Sequence, residues 1–330
     1  MQAASKAKIS ELQAIMTKMT LEVCCIAALP EFGVRWREVS QAVRNARLPM
    51  TSASVARILC RHVAKSLTAE DVADIVATLQ LKLVATQTRT WHLLRLEGKQ
   101  TDEPVGVLAR SLPHRVRAAL LASRARPVRP EVQTVKMGDL IYISLRLVSG
   151  IRDGSVLYLA VPPGQDVALA SSLAPATLLK AAVQGLGYTE YVNANLHGRD
   201  IPSLLRISDP RWNENVDHLA QPPEYAPVPT ITKNGIDYTN RTYDEQYVDN
   251  LIGPNPPLLT DLNITTTKSF FDPSRLNKQM NLTIQLKSED IAKSLKAWVS
   301  RGALAPTSDF FQIYHKIKSN KITYSREDSD

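Results

Sequence analysis

The sequence predicts an α+β protein: a run of short helices, then an antiparallel sheet with helices laid against it, then a small second α+β unit. Three observations lead there. Between 9 and 83 apolar residues recur at three- and four-residue spacing, whereas between 141 and 161 they alternate at spacing two. Prolines 222, 223, 227, 229, 254, 256 and 257 then separate this part from another strand-and-helix pattern beyond 281. With 330 residues, 44% of them apolar, the chain can bury a full core. The divisions read from these shifts are 1–97, 98–212, a proline-rich linker or arm at 213–250, and 251–330.

In the first segment Ile9, Leu12, Met16 and Met19 share a helical face, as do Val55, Ile58, Leu59 and Val63. Thr68 is placed to cap a helix with Asp71 at its third position, ahead of the stripe Val72, Ile75, Val76, Leu79 and Leu83. Pro30 and Pro49 break the pattern, so several short helices are expected. In the second segment Ile141, Ile143, Leu145 and Leu147 predict a strand with one apolar face. A turn at Asp153-Gly154 leads to Leu157, Leu159 and Val161, continuing the sheet. Pro175 opens a helix with Leu178, Leu179, Ala182 and Val183 on its face, ending at Gly185 or Gly187. A strand over 190–196 and a helical turn over 201–207 follow. In the last segment Leu282, Ile284 and Leu286 predict a strand, Ser288 a cap, and Ile291, Leu295, Trp298 and Val299 a helix stopped at Gly302. Residues 310–317 are expected to return as a strand.

Charge divides the chain as well. Residues 1–97 carry 13 Lys/Arg against 8 Asp/Glu, 98–212 carry 14 against 9, and 213–330 carry 13 against 15. The front is therefore basic and the back slightly acidic, which suits a polyanionic partner at one end and another task at the other. No acidic residue falls between Glu103 and Glu131, where Arg110, Arg115, Arg117, Arg124, Arg126 and Arg129 accompany His114. Clustered arginine forks match phosphate oxygens without reading base sequence. Lys6, Lys8 and Lys18 add charge at the N-terminus, and Arg35, Arg37, Arg44 and Arg47 surround Trp36, itself read as core. Phosphate loops, paired metal-ligand spacings and nucleophile elbows are not found, so no cofactor, metal or catalytic residue is expected and the chain reads as a binding protein. Cys24, Cys25 and Cys60 read as buried hydrophobes. No apolar run suits a membrane span or a secretory leader, so an intracellular protein is expected, with the sequons at Asn240, Asn263 and Asn281 unused.

Two stretches carry a family resemblance. YLAVPPGQDVALASS, ATLLKAAVQGL and NANLHGRDIPSLLRI, in that order over 158–207, resemble the middle domain of centromere protein N. IGPNPPLLTDLNITTTKSFF, NLTIQLKSEDIAKSLKAWVSRGALAP and NKITYSRED, from Ile252 onward, are similar to that family's C-terminal pattern. The resemblance implies a pyrin-like N-terminal bundle and a nuclear subunit of the inner kinetochore, at the centromere. It implies binding to the centromeric-histone nucleosome and its double-stranded DNA through the first two domains, and a heterodimer with a centromere protein L-like subunit through the last. The family's basic-x-basic element falls on His197 and Arg199, a basic third-helix position on Arg47, and the acidic histone contact on Glu11. The expected DNA surface is thus Lys6, Lys8, Arg47, Arg110, Arg115, Arg117, Arg124, Arg126, His197 and Arg199. The expected partner surface is Leu258, Leu262, Ile264, Leu282, Ile284 and Leu286. A basic adaptor for nucleic acid or a phosphorylated ligand, unrelated to the centromere, is the competing reading.

Overall fold

The computed structural model describes residues 6–324 apart from 102, 104, 124–128, 150–151, 154–155, 210–223, 233–234, 238–240, 254, 273–274, 309, 312–313 and 315–316. The fold is α+β, with helices first and an antiparallel sheet in the middle. The chain divides into two compact units, one of residues 1–89 and 94–192, the other of 90–93 and 193–330.

The first unit begins with α1 (Lys6–Lys18), α2 (Leu21–Val23), a π turn at Cys24–Ala28, a 3-10 turn at Leu29–Phe32, α3 (Trp36–Asn45), α4 (Ser52–Ser66) and α5 (Ala69–Thr86). Leu12, Met16, Val39, Val43, Val55, Leu59, Val72 and Leu79 form its core, the faces that helical spacing brings together. Pro30 confines the helix that precedes it, and Gly33 takes φ +63° to turn the chain away. Thr68 Oγ1 accepts the Asp71 N–H at 3.2 Å while the Asp71 carboxylate accepts the Thr68 N–H at 3.1 Å. This is the capping box expected from the sequence, and the Thr68 hydroxyl, which donates to the Asp71 carboxylate at 2.6 Å, followed by the Thr68 N–H, holds the Asp71 carboxyl below its ordinary pKa. The Lys82 ammonium donates to the Ala27 carbonyl and to Glu31, each at 2.7 Å, and so pins the π turn to α5.

Next come β1 (Trp91–Lys99), α6 (Val105–Ser123), β2 (Arg129–Met137), β3 (Leu140–Ser149), β4 (Arg152–Asp153), β5 (Leu157–Val161), β6 (Val167–Ala170), α7 (Ala176–Gly185) and β7 (Tyr188–Gly198). The strands lie in the order β2-β3-β5-β6-β1-β7, with β4 beside β3. Ile141 pairs with Val161, Ile143 with Leu159 and Leu145 with Leu157, so the alternating residues meet on one face. There they pack with Leu112, Val116 and Leu120 of α6 and Leu178, Leu179 and Val183 of α7. A β-carbon on Gly185 would collide with Val116, so α7 can lie this close to α6 only with glycine there. The expectation of a single apolar face on β3 is corrected: Tyr142 and Tyr158 on the other side are also buried, because α5 lies against β2 and β3 there. The Asp153-Gly154 turn falls only partly within the described residues: Asp153 ends β4, and Gly154 lies outside them.

The second unit contains α8 (Ile201–Ser208), β8 (Thr230–Thr232), β9 (Gly235–Asp237), α9 (Arg241–Ile252), β10 (Asp261–Asp272), β11 (Arg275–Lys287), α10 (Ile291–Ser300) and β12 (Lys321–Tyr324). Three sequence expectations are corrected here. The linker expected up to 250 contains α9, which buries Tyr247, Val248, Leu251 and Ile252. Tyr225 in the proline-rich stretch donates to the Asp244 carboxylate at 2.6 Å and stands edge-on to Tyr247, 5.1 Å between ring centres. The phenol's pKa is pushed up to about 12, chiefly by that hydrogen bond. Phe310, Phe311 and Tyr314 are helical, where a strand was expected. Finally Asp290, not Ser288, caps α10: its carboxylate accepts the Lys293 N–H at 3.1 Å, and Ser288 Oγ instead accepts the Asp290 N–H at 3.2 Å. β10 is the middle strand, antiparallel to β11 and parallel to β12.

Candidate nucleic-acid and partner interfaces

Three of the site residues read from the sequence come together in the first unit. Lys8 and Glu11 of α1 and Arg117 of α6 line one cavity of about 370 Å³, closed by α5 on one side and by β2, β3 and β5 on the other. Arg146 brings another cation, and Asp74 and Glu131 bring two more carboxylates. Lys8 and Glu11, one helical turn apart, are joined at 3.1 Å. The Arg89 guanidinium rests over the ring of Tyr158, a further wall residue, 4.5 Å from its centre. Cations and carboxylates in one concave site can hold a surface in which phosphate and basic side chains lie side by side.

The arginines of α6 divide by helical position. Leu112, Val116 and Leu120 repeat every fourth residue and point into the core, which turns Arg110, His114 and Arg117 to the exposed side. Arg115, at the border, donates to Glu103 at 3.0 Å, so part of its charge is already met. Arg124 and Arg126 lie outside the described residues. Lys6 is exposed at the start of α1.

A denser basic surface lies in the helical bundle, where the sequence reading noted Arg35, Arg37, Arg44 and Arg47 but assigned only Arg47 to the DNA surface. Residues 35–66 hold seven Lys/Arg and one acid, Glu38. Arg35, Arg37, Arg44, Arg47, Arg57 and Arg61 are all exposed. The reading of Trp36 as core is corrected: it opens α3 and remains 39% exposed, with Arg35 and Arg37 on either side. The shortage of acids over 35–66 was the signal available in the sequence.

In the second unit Arg199 is exposed and His197 half-buried. The rings of His92 and His197 lie 5.6 Å apart. Burial, and then the charge of His197, hold the His92 pKa below its ordinary value. Asn320, 2% exposed, secures this end of β7: its Oδ1 accepts the His197 N–H at 2.6 Å and its Nδ2 donates to the Asp261 carbonyl at 2.6 Å.

The residues expected to face a partner subunit fall into two groups. Leu262 pairs with Leu286, Ile264 with Ile284 and Thr266 with Leu282, so the apolar members share one face of the small sheet. Leu262, Ile264 and Leu286 are buried in their own unit, at 1%, 3% and 9% exposure, and are not available to a partner; this corrects that part of the expected surface. In the same unit α9 packs on α10, tied to it by the 2.6 Å Lys296–Asp249 pair, and the two helices bury Tyr247, Val248, Leu251, Ile252, Ile291, Leu295 and Val299. Toward the open end of the same face Ile284 is half-buried and Leu282 is 46% exposed, and Leu258 is 37% exposed nearer the start of β10.

Among the described residues no helix is long and apolar enough to cross a membrane, and no group of three or more His, Cys, Asp or Glu is placed to hold a metal ion. No family model matches the chain, and no curated protein matches it.

Proposed function

We propose that this chain is a non-enzymatic subunit of the inner kinetochore, located in the nucleus at the centromere, that binds the centromeric-histone nucleosome and its DNA and pairs with a centromere protein L-like subunit. The grouping of Lys8, Glu11 and Arg117 around one cavity supports the nucleosome reading most directly. These residues were selected separately, two for DNA and one for a histone loop, and phosphate beside a basic loop is the chemistry that a mixed-charge cavity complements. The exposed side of α6, with Arg110 and Arg117, extends the positive surface. Leu258, Leu282 and the half-buried Ile284 are the residues left for a partner strand or helix.

The test compares nucleosomes carrying the centromeric histone variant with ordinary ones, using the full chain. Arg117→Glu is expected to weaken both by about tenfold, with a shallower salt dependence, as the loss of a phosphate contact does. Glu11→Gln is expected to weaken only the variant nucleosome. Equal affinity of the wild-type chain for the two nucleosomes, with Glu11→Gln silent on both, would reject the centromeric reading in favour of a general basic adaptor.

A further inference from the structure

We propose that the exposed face around α3 is a docking surface for single-stranded nucleic acid, with Trp36 as the platform on which a base stacks and the arginines around it as the phosphate track. The reading does not depend on the centromeric one. Its first support is the exposure of Trp36, 39%; among the described residues Trp298 is open to the same degree, at 38%, but only Trp36 lies in the arginine-rich, acid-poor segment 35–66. A tryptophan ring left in water at the rim of a bundle offers a flat apolar face to any base, whatever its identity.

The second support is charge. Arg35, Arg37, Arg44 and Arg47 are all exposed, and among the described residues none is in an ion pair. Arg37 and Arg44 are seven residues apart on α3 and so lie on one side of it, about 10 Å apart along its axis. Arg57 and Arg61, one turn apart on α4, continue the exposed charge on the helix packed against α3. Glu38 is the lone acid within 35–66. Helix stability does not explain Arg35 and Arg37, which flank the end of α3 where the helix dipole disfavours cations.

The third support is Arg47 itself. It takes φ +53° immediately after the α3 cap, and the Leu48 N–H bonds back to the Val43 carbonyl at 3.1 Å. This is the left-handed turn that glycine closes most cheaply, and any other side chain there strains the backbone. A charged, exposed side chain at a position whose backbone favours glycine is accounted for by what the side chain binds.

The occupant is a flexible strand with splayed bases; a rigid duplex keeps its bases stacked on one another and cannot offer one to Trp36. Fluorescence anisotropy of the full chain with labelled oligo-U, oligo-dT and a mixed-sequence duplex tests this. Trp36→Ala is expected to weaken both oligonucleotides by about tenfold and leave duplex affinity unchanged, while Trp36→Phe retains most of the binding. Arg47→Gly is expected to raise the melting temperature and yet weaken oligonucleotide binding. A stronger grip on oligo-U than on oligo-dT would mark RNA as the source, the reverse DNA. Unchanged oligonucleotide affinity in Trp36→Ala, or an equal loss for duplex and single strands, would overturn the proposal. So would an Arg47→Gly variant that melts lower and binds as before. The duplex arm with Arg117→Glu reads the proposed function separately, so each reading can fail alone.

Discussion

His92 sits where its charged form is disfavoured, partly buried and facing a second imidazole 5.6 Å away. Its pKa is lower in the folded chain than in the unfolded one, so the unfolded chain takes up the proton first as pH falls. The stability this site contributes is therefore present above the ordinary histidine pKa of about 6.5 and is lost as pH drops through the folded value. His92→Gln removes the proton site, and its melting temperature should fall less than the wild type's between neutral and mildly acidic pH. Thermal melts in matched buffers check this; identical slopes would show that the pair does not govern acid sensitivity. His197 was chosen from the sequence for a basic element shared with a family, and nothing in the spacing could announce its neighbour 105 positions earlier. Trp36 misled for a related reason. It shares a helical face with Val39 and Val43, which are buried, so periodicity assigns it to the core. It is also the first residue of α3, where the face runs out past the rim of the bundle. Two of the three cysteines were legible: Cys24 and Cys60 are buried, and burial pushes each thiol up to about 11, whereas Cys25, also read as buried, is only half-buried.

Periodicity carried most elements correctly, because a buried face leaves the same mark in sequence and in structure. The capping box at Thr68, the pairing of 141–145 with 157–161, and the stop at Gly302 are each local in origin. α9 was missed because prolines on both sides dominate its composition, and its buried residues, Tyr247, Val248, Leu251 and Ile252, form only one short pair of turns. Whether an apolar strand face is covered is not local at all. Leu262 and Leu282 both lie on β10–β11 and read alike, yet one is 1% and the other 46% exposed. Leu262→Ala should therefore cost about 2–5 kcal/mol, the usual penalty for emptying a closed core site. Leu282→Asp should stay within about 0.5 kcal/mol and fold normally. Chemical denaturation of the two variants separates them. A Leu282→Asp variant as unstable as Leu262→Ala would mean that the open end of the face is covered in the isolated chain.

At the scale of the molecule, composition suggests cuts at 97 and 212, whereas contacts group Thr90–Leu93 and residues 193–330 into one unit. The difference matters for any attempt to isolate the basic front as residues 1–212. Within the second unit Asn320 accepts from His197, donates to Asp261 and bonds through its own N–H to the Asn195 carbonyl at 3.0 Å. Ser203, 4% exposed on α8, accepts the Leu258 N–H at 2.8 Å. Leu204 and Ile207 of α8 are buried at 0% and 2% exposure. A chain ending at 212 keeps β7 and α8 but loses Asn320, Asp261 and Leu258, so the half-buried His197 N–H loses its acceptor, the buried Ser203 Oγ keeps only its bond to Asp200, and apolar surface is expected to be uncovered. Unsatisfied buried groups cost about 1–3 kcal/mol each, and exposed leucine and isoleucine favour association. Fragment 1–212 should therefore bind a hydrophobic dye and self-associate, while the full chain should do neither under the same conditions. Asn320→Ala in the full chain should reproduce part of the defect, with amide exchange at His197, whose N–H loses its acceptor, faster than in the unsubstituted chain while α1 and α5 are unchanged. Size-exclusion chromatography and hydrogen exchange read the two outcomes. A monodisperse, dye-silent fragment 1–212 would show that β7 and α8 are held without the tail, and that the front is an independent body.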